Sequence, residues 1–133
     1  MPFVLDNSVV CGWLIQGQGN DYADGIAVRL QDDTAVAPPL LALETANVLR
    51  TACLRGRMVA QQAQHALQLL AQFPIDTDRH TPAPAELLAL ALRYGLTTYD
   101  AAYLELALRR QLPIATTDAA LADAARISGV GVV

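Results

Sequence analysis

Hydrophobic and polar positions along this chain switch repeatedly between the spacing of short buried strands and that of amphipathic helices. Phe3-Val4-Leu5 is an apolar run halted by Asp6, the pattern of a strand buried on both faces. Asn7 or Ser8 then caps a short helix through Trp13-Leu14-Ile15, and residues 16–20, rich in glycine and amides, form a loop. Tyr22, Ile26 and Leu30 keep helical spacing and predict a helix over Asp21–Gln31. Ala35-Val36-Ala37 predicts a second strand, stopped by Pro38-Pro39, which also start the next helix. That helix carries Leu40, Leu43, Leu49 and Leu54 and stops at Gly56, and an amphipathic one follows over Met58–Gln72.

Pro74-Ile75-Asp76 predicts a brief third strand. Thr81 caps a helix that starts at Pro82 and closes at Gly95. Thr97 or Thr98 caps the next, Tyr99–Arg110, with Arg109 and Arg110 at the end where the helix dipole favours cations. A strand over Pro113–Thr116, a helix over Ala119–Ile127 and a last strand over Val130–Val133 complete the chain. Short apolar strands alternating with helices imply right-handed βαβ units. The expected fold class is α/β: a three-layer α/β/α sandwich with a mainly parallel sheet of four to five short strands, one domain over residues 1–133. Ligands of such sheets bind beyond the carboxyl ends of the strands.

Several acids belong at that edge. Asp6 follows the first strand directly, and Asp118 follows the strand Pro113–Thr116. Asp100 lies in the first turn of its helix, where a carboxylate gains roughly 0.3–1 kcal/mol from the helix N-terminus. Each has an ordinary reading alone: a turn residue, an N-cap, a first-turn acid. Glu44 is harder to dismiss, because it interrupts the mostly apolar segment Leu40–Leu49. A carboxylate buried there needs a cation, such as Arg50 or another arginine, or a water-filled cleft. Together the four favour a convergent cluster. Without His or Cys, it is a hard oxygen site suited to Mg²⁺ or Mn²⁺ rather than zinc. Such ions activate water and stabilise the leaving oxygen of a phosphodiester, so metal-assisted phosphodiester hydrolysis is the leading reaction class.

Composition first resists, then permits, that reading. Of 133 residues 53% are hydrophobic and 17% charged, and the net charge is −4. All nine basic residues are arginine, which excludes Schiff-base lysines and the GK[ST] phosphate loop. An acidic chain argues against a nucleic-acid partner. Setting Asp6, Glu44, Asp100 and Asp118 aside leaves nine acids against nine arginines, so the excess is what one acidic site requires. The N-terminus has no basic leader, no apolar stretch approaches the ~20 residues of a membrane helix, and Cys11 and Cys53 have no metal or redox spacing. The expected location is the reducing cytoplasm, with no membrane association.

Four segments carry a family resemblance, in order along the chain. They are VLDNSVV at 4–10, ETANVL at 44–49, LTTYDAAYLELA at 96–107 and LPIATTDAAL at 112–121. They resemble PIN-domain ribonucleases, in particular the VapC toxins of bacterial toxin–antitoxin pairs. The resemblance implies a PIN-like α/β/α fold and a Mg²⁺- or Mn²⁺-dependent endoribonuclease acting on RNA. It also implies a cognate VapB-like antitoxin that occludes the site, and a homodimer within a larger toxin–antitoxin assembly. Carried over by position, Asp6, Glu44, Asp100 and Asp118 are the acidic quartet. Asp6, Asp100 and Asp118 are metal ligands, Glu44 is a ligand or water-orienting base, and Ser8 and Thr116 are hydroxyls that orient carboxylates. Two other functions compete: a housekeeping PIN nuclease in RNA processing or decay, and a non-enzymatic α/β dimerisation module.

The remaining candidates read more plainly. Asp123 is a mid-helix surface acid, and His65 and His80 have no motif partner. Arg50, Arg55 and Arg57 form a solvated cluster able to meet phosphates. Trp13, Tyr99 and Tyr103 read as core or dimer packing before base stacking.

Overall fold

A computed structural model describes residues 1–133. Its elements run β1 (Phe3–Leu5), α1 (Asn7–Leu14), α2 (Asp21–Arg29), β2 (Ala35–Ala37), α3 (Leu40–Leu54) and α4 (Ala60–Leu70). They continue with β3 (Ile75–Thr77), α5 (Pro84–Tyr94), α6 (Thr98–Arg110), β4 (Ile114–Ala115) and α7 (Ala119–Ser128). The four strands form one parallel sheet in the order β3-β2-β1-β4. Phe3, Val4 and Leu5 of the inner strand β1 are completely buried, as an apolar run covered from both sides requires. They anchor a core of 21 buried residues that also takes in Tyr103, Leu104 and Leu106 of α6 and Leu121 of α7. No helix is long and apolar enough to cross a membrane.

Strand order sets the position of the crevice. From β1 the chain moves outward to β2 and β3, then returns to place β4 on the other side of β1. The progression therefore reverses between β1 and β4, the point at which sheets of this kind leave a crevice beyond the carboxyl ends of the strands. A backbone hydrogen bond from Asp6 to the Ala115 carbonyl, at 3.0 Å, fixes that edge.

Several local expectations shift. Asp6, rather than Asn7 or Ser8, occupies the N-cap of α1, and its side chain makes no cap bond. The helix expected from Pro82 begins at Pro84. A proline drives the residue before it out of the helical region, and Ala83 accordingly lies at φ −66°, ψ 143°. The last strand, Val130–Val133, reduces to a single bridge between Val132 and Ile114. Gly129 and Gly131 both take positive φ and break the extended run, so the sheet has four strands. Tyr103 is core, whereas Tyr99 is 62% exposed, because it points off the helix face that packs on the sheet. Both cysteines are free and half-buried.

Helices α1 and α2 touch at a glycine. A methyl group on Gly12 would lie 2.8 Å from the Ala23 methyl, which is fully buried on a helix backbone and cannot yield cheaply. Gly12→Ala gains roughly 1 kcal/mol of helix propensity and pays more in overpacking. The expected net loss is on the order of 1 kcal/mol, read as a lower urea midpoint at unchanged slope.

Candidate active site

The four acids reach the crevice from four separate elements. Asp6 stands at the end of β1 and is 5% exposed. Its Oδ2 accepts two hydroxyl hydrogen bonds, from Ser8 Oγ and Thr116 Oγ1, each at 2.7 Å. Ser8 Oγ also accepts from the Thr117 backbone N–H at 2.9 Å, and Thr116 Oγ1 from the Asp118 N–H at 3.0 Å. A closed net of hydroxyls and amides thus binds the β1–α1 turn to the β4–α7 turn. Its other product is an aimed carboxylate: Oδ1 of Asp6 keeps no protein partner.

Asp118 occupies the N-cap of α7 without making a cap bond. Asp100 lies in the first turn of α6, where its N–H donates to the Thr97 hydroxyl at 3.1 Å. Three of the four acids therefore sit at helix N-termini, whose free N–H groups favour negative charge. Glu44, on the second turn of α3, is half-buried and accepts a 2.6 Å hydrogen bond from the Tyr103 hydroxyl. Its partner is thus a tyrosine and not an arginine. Thr45, next in sequence, donates to Asn7 Oδ1 at 3.0 Å and ties α3 to α1.

The four carboxylates lie close enough to act on one another's charge. Burial first, then the charge and hydrogen bonding of Asp118, then the charges of Asp6 and Glu44, push the Asp100 carboxyl up to about 7. Burial also raises Glu44, partly offset by the Tyr103 hydroxyl and reinforced by Asp6. The Tyr103 phenol is driven above its usual range by burial and by Glu44. None of the ion pairs in the protein reaches any of these acids: Arg29, Arg109, Arg110 and Arg126 pair with other carboxylates, and the remaining arginines pair with none. No group of three or more His, Cys, Asp or Glu side chains is drawn together closely enough to close a metal cage. What the donor set offers is an all-oxygen, uncompensated negative crevice, which fits a hard divalent cation.

Three partnerships escaped the sequence reading. Tyr103 lies three residues after Asp100 and so faces the same way on α6, a spacing that was available as a signal. The others involve Asp78, which follows β3 just as Asp6 follows β1 and is 4% exposed. It accepts from Arg109 and, at 2.7 Å, from Arg110, while Arg109 Nε also donates to buried Glu105 at 2.8 Å. The two arginines hold the Asp78 carboxyl below its usual range. A tandem arginine serving the helix dipole needs no buried acid, so the dipole accounts for only part of their role. Asp123 pairs with Arg126 at the surface, and Arg50, Arg55, Arg57, His65 and His80 are exposed.

Comparison with known proteins gives the class and then the branch. The PIN domain family matches residues 3–127, and the chain belongs to that family. Among curated relatives, Ribonuclease VapC1 of Mycobacterium tuberculosis is 35% identical over 104 residues, 77% of each chain. Ribonuclease VapC3 of Pyrobaculum aerophilum is 30% identical over 125 residues, 92% of this chain and 94% of its own. Solved structures share the fold. PAE2754 from Pyrobaculum aerophilum superposes with a TM-score of 0.67 at 24% identity, covering 93% of this chain and 79% of that one. VapBC2 from Rickettsia felis, bound to a DNA fragment from its promoter, gives 0.66 at 10% identity over 99% and 96%.

The raised Asp100 carboxyl makes a signed prediction for the metal-free protein. Its folded pKa of about 7 exceeds the ordinary aspartate value of 3.8, so the folded state holds the extra proton. Stability is therefore lost as pH rises from about 4 to 7. Asp100→Asn mimics the protonated side chain. It should match the parent near pH 4 in thermal melts with chelator and exceed it in melting temperature at pH 8.

Proposed function

We propose that this protein is a metal-dependent endoribonuclease of the VapC type, acting as the toxin of a toxin–antitoxin pair. The observation that carries it is the uncompensated quartet at the β1/β4 crevice, with Asp100 pushed up to about 7 by burial first and then by its three acidic neighbours. A protein has no reason to gather four carboxylates away from every arginine unless a cation joins them. The relatives named ribonucleases support the substrate. The structural neighbour VapBC2, a toxin–antitoxin complex by its name, supports a VapB-like antitoxin as partner.

Asp6, Asp100 and Asp118 hold the cation in this reading, and Glu44 either joins them or orients the attacking water. When bound, Mg²⁺ or Mn²⁺ supplies an activated water and charge stabilisation for the departing oxygen. The chain's own residues do the positioning. Ser8 and Thr116 occupy Oδ2 of Asp6, so that only its other oxygen faces the crevice. Tyr103 fixes one oxygen of Glu44 and leaves the second free to take a proton from water. The helix N-termini beneath Asp6, Asp100 and Asp118 keep the site in its anionic, ligand-ready form when the cation is present.

Purified, antitoxin-free protein incubated with total cellular RNA tests this. Cleavage is expected with Mg²⁺ or Mn²⁺ and none with excess chelator. Asp6→Asn and Asp100→Asn should each lower the rate by at least about 100-fold while the fold survives by circular dichroism. Intact RNA after incubation of the parent protein with either metal would sink the reading. Growth arrest on expression, relieved by co-expressing a neighbouring small reading frame, tests the toxin role separately.

A further inference from the structure

Beside the acidic crevice lies a second cavity, of about 370 Å³, that the quartet does not use. Its walls include Pro39 at the N-cap of α3 and Leu40 in its first turn, His80 and Pro82 of the β3–α5 loop, and Thr98 and Tyr99 of α6. We propose that this cavity binds one nucleobase of the RNA, next to the nucleotide being cut, with the Tyr99 ring as its stacking platform. The inference rests on the ribonuclease reading and adds to it a base-reading subsite.

Continuity with the crevice is the first argument. Leu40 lines the cavity and Glu44, one turn later on α3, faces the crevice. On α6, residues 98, 102 and 105 share one face by the 3.6-residue period, with Tyr99 and Leu106 beside it. Asp100 and Tyr103 occupy the next face round. The same two helices thus wall both spaces, and a strand of RNA in one has its neighbouring base at the mouth of the other.

Chemistry selects the occupant. No arginine lines the cavity, and its two acids, Asp78 and Glu105, already engage Arg109 and Arg110 behind the wall, so no guanidinium is free there to hold a phosphate. The volume lies near the lower end of the roughly 300–1,000 Å³ of small-ligand pockets, room for one flat ring system and its sugar. Tyr99 is 62% exposed although aromatic, and no protein ring stacks on it. Glu105 Oε2 accepts only one long hydrogen bond, 3.3 Å from Arg109, and so retains an acceptor position for a base N–H. A neutral, stackable, donor-bearing group matches all of these features.

The test uses the full chain in two arms. For binding, fluorescent RNA oligomers of single-base composition are titrated by anisotropy against Asp100→Asn, which is cleavage-dead, and against Asp100→Asn/Tyr99→Ala. Loss of stacking should weaken binding roughly fivefold or more and level the differences between bases, while Tyr99→Trp in the same background restores both. For cleavage, sequencing the cut ends of a randomised RNA library should show a preference at one flanking position that Tyr99→Ala erases. Unchanged affinity and base preference in the alanine variant would overturn the subsite even if the parent cuts RNA. Base-dependent binding lost with Tyr99 would uphold it even if the parent cuts nothing, which would instead remove the nuclease reading. If Tyr99→Ala binds RNA normally but loses the small protein that relieves growth arrest, the cavity belongs to that protein and the proposal fails.

Discussion

Mutual repulsion among Asp6, Glu44, Asp100 and Asp118 is the constraint around which the carboxyl edge of this sheet is arranged. Four like charges in one crevice have no arginine to neutralise them, and the surrounding polar groups are those needed to keep them in place. Asp6 takes two hydroxyl donors at 2.7 Å, Glu44 takes the Tyr103 phenol, and three of the acids rest on helix N-termini. What these donors leave uncompensated is visible at Asp100, whose carboxyl gives up its proton only near neutrality. Without a cation, protonation of Asp100 relieves part of the repulsion, and that relief is lost as the pH passes neutrality.

The sheet order makes such a crowding feasible. Because the progression reverses at β1, the turns after β1 and β4 meet with no helix between them. Ser8 and Thr116 then link residues more than a hundred positions apart in sequence. At the opposite edge Asp78, also placed just beyond a strand, is drawn out of the competition by Arg109 and Arg110. Two acids in equivalent topological positions thus have opposite fates. The difference lies in which helix end approaches: the cationic last turn of α6 at Asp78, and the first turns of α1, α6 and α7 at the quartet.

Most of the architecture was legible because β1, β2 and β4 are fully buried short runs that leave a clear apolar mark on the sequence. The quartet was legible for the same reason, since strand ends and helix starts are where polar residues interrupt that mark. The start of α5 was not, because Pro82 looks like a helix opening, yet Pro84 two residues on holds Ala83 extended and a helix begun at Pro82 cannot run through it. Nor was the Val130–Val133 strand, where paired glycines with positive φ undo an apolar pattern that reads as extended. Partners distant in sequence, such as Asp78 with Arg109, leave no local trace at all. Of the two places the pattern offered Tyr99, core or dimer packing, its exposure removes the first, because an aromatic residue in an apolar run reads as core until the helix face is known.

Helix α6 carries Asp100 and Tyr103 on one face, the Tyr99 cavity on the next, and the Arg109 clamp at its far end. Successive residues on a helix are turned by about 100°, so a single insertion between Asp100 and Tyr103 would rotate everything after it by more than a quarter turn. Tyr103 would leave Glu44, and Arg109 would leave Asp78, in one genetic event. The loop at 16–20 carries no such phase relation and lines neither the quartet nor the Tyr99 cavity. Length variation among functional descendants of this sequence should therefore collect there, and α6 should change by substitution alone.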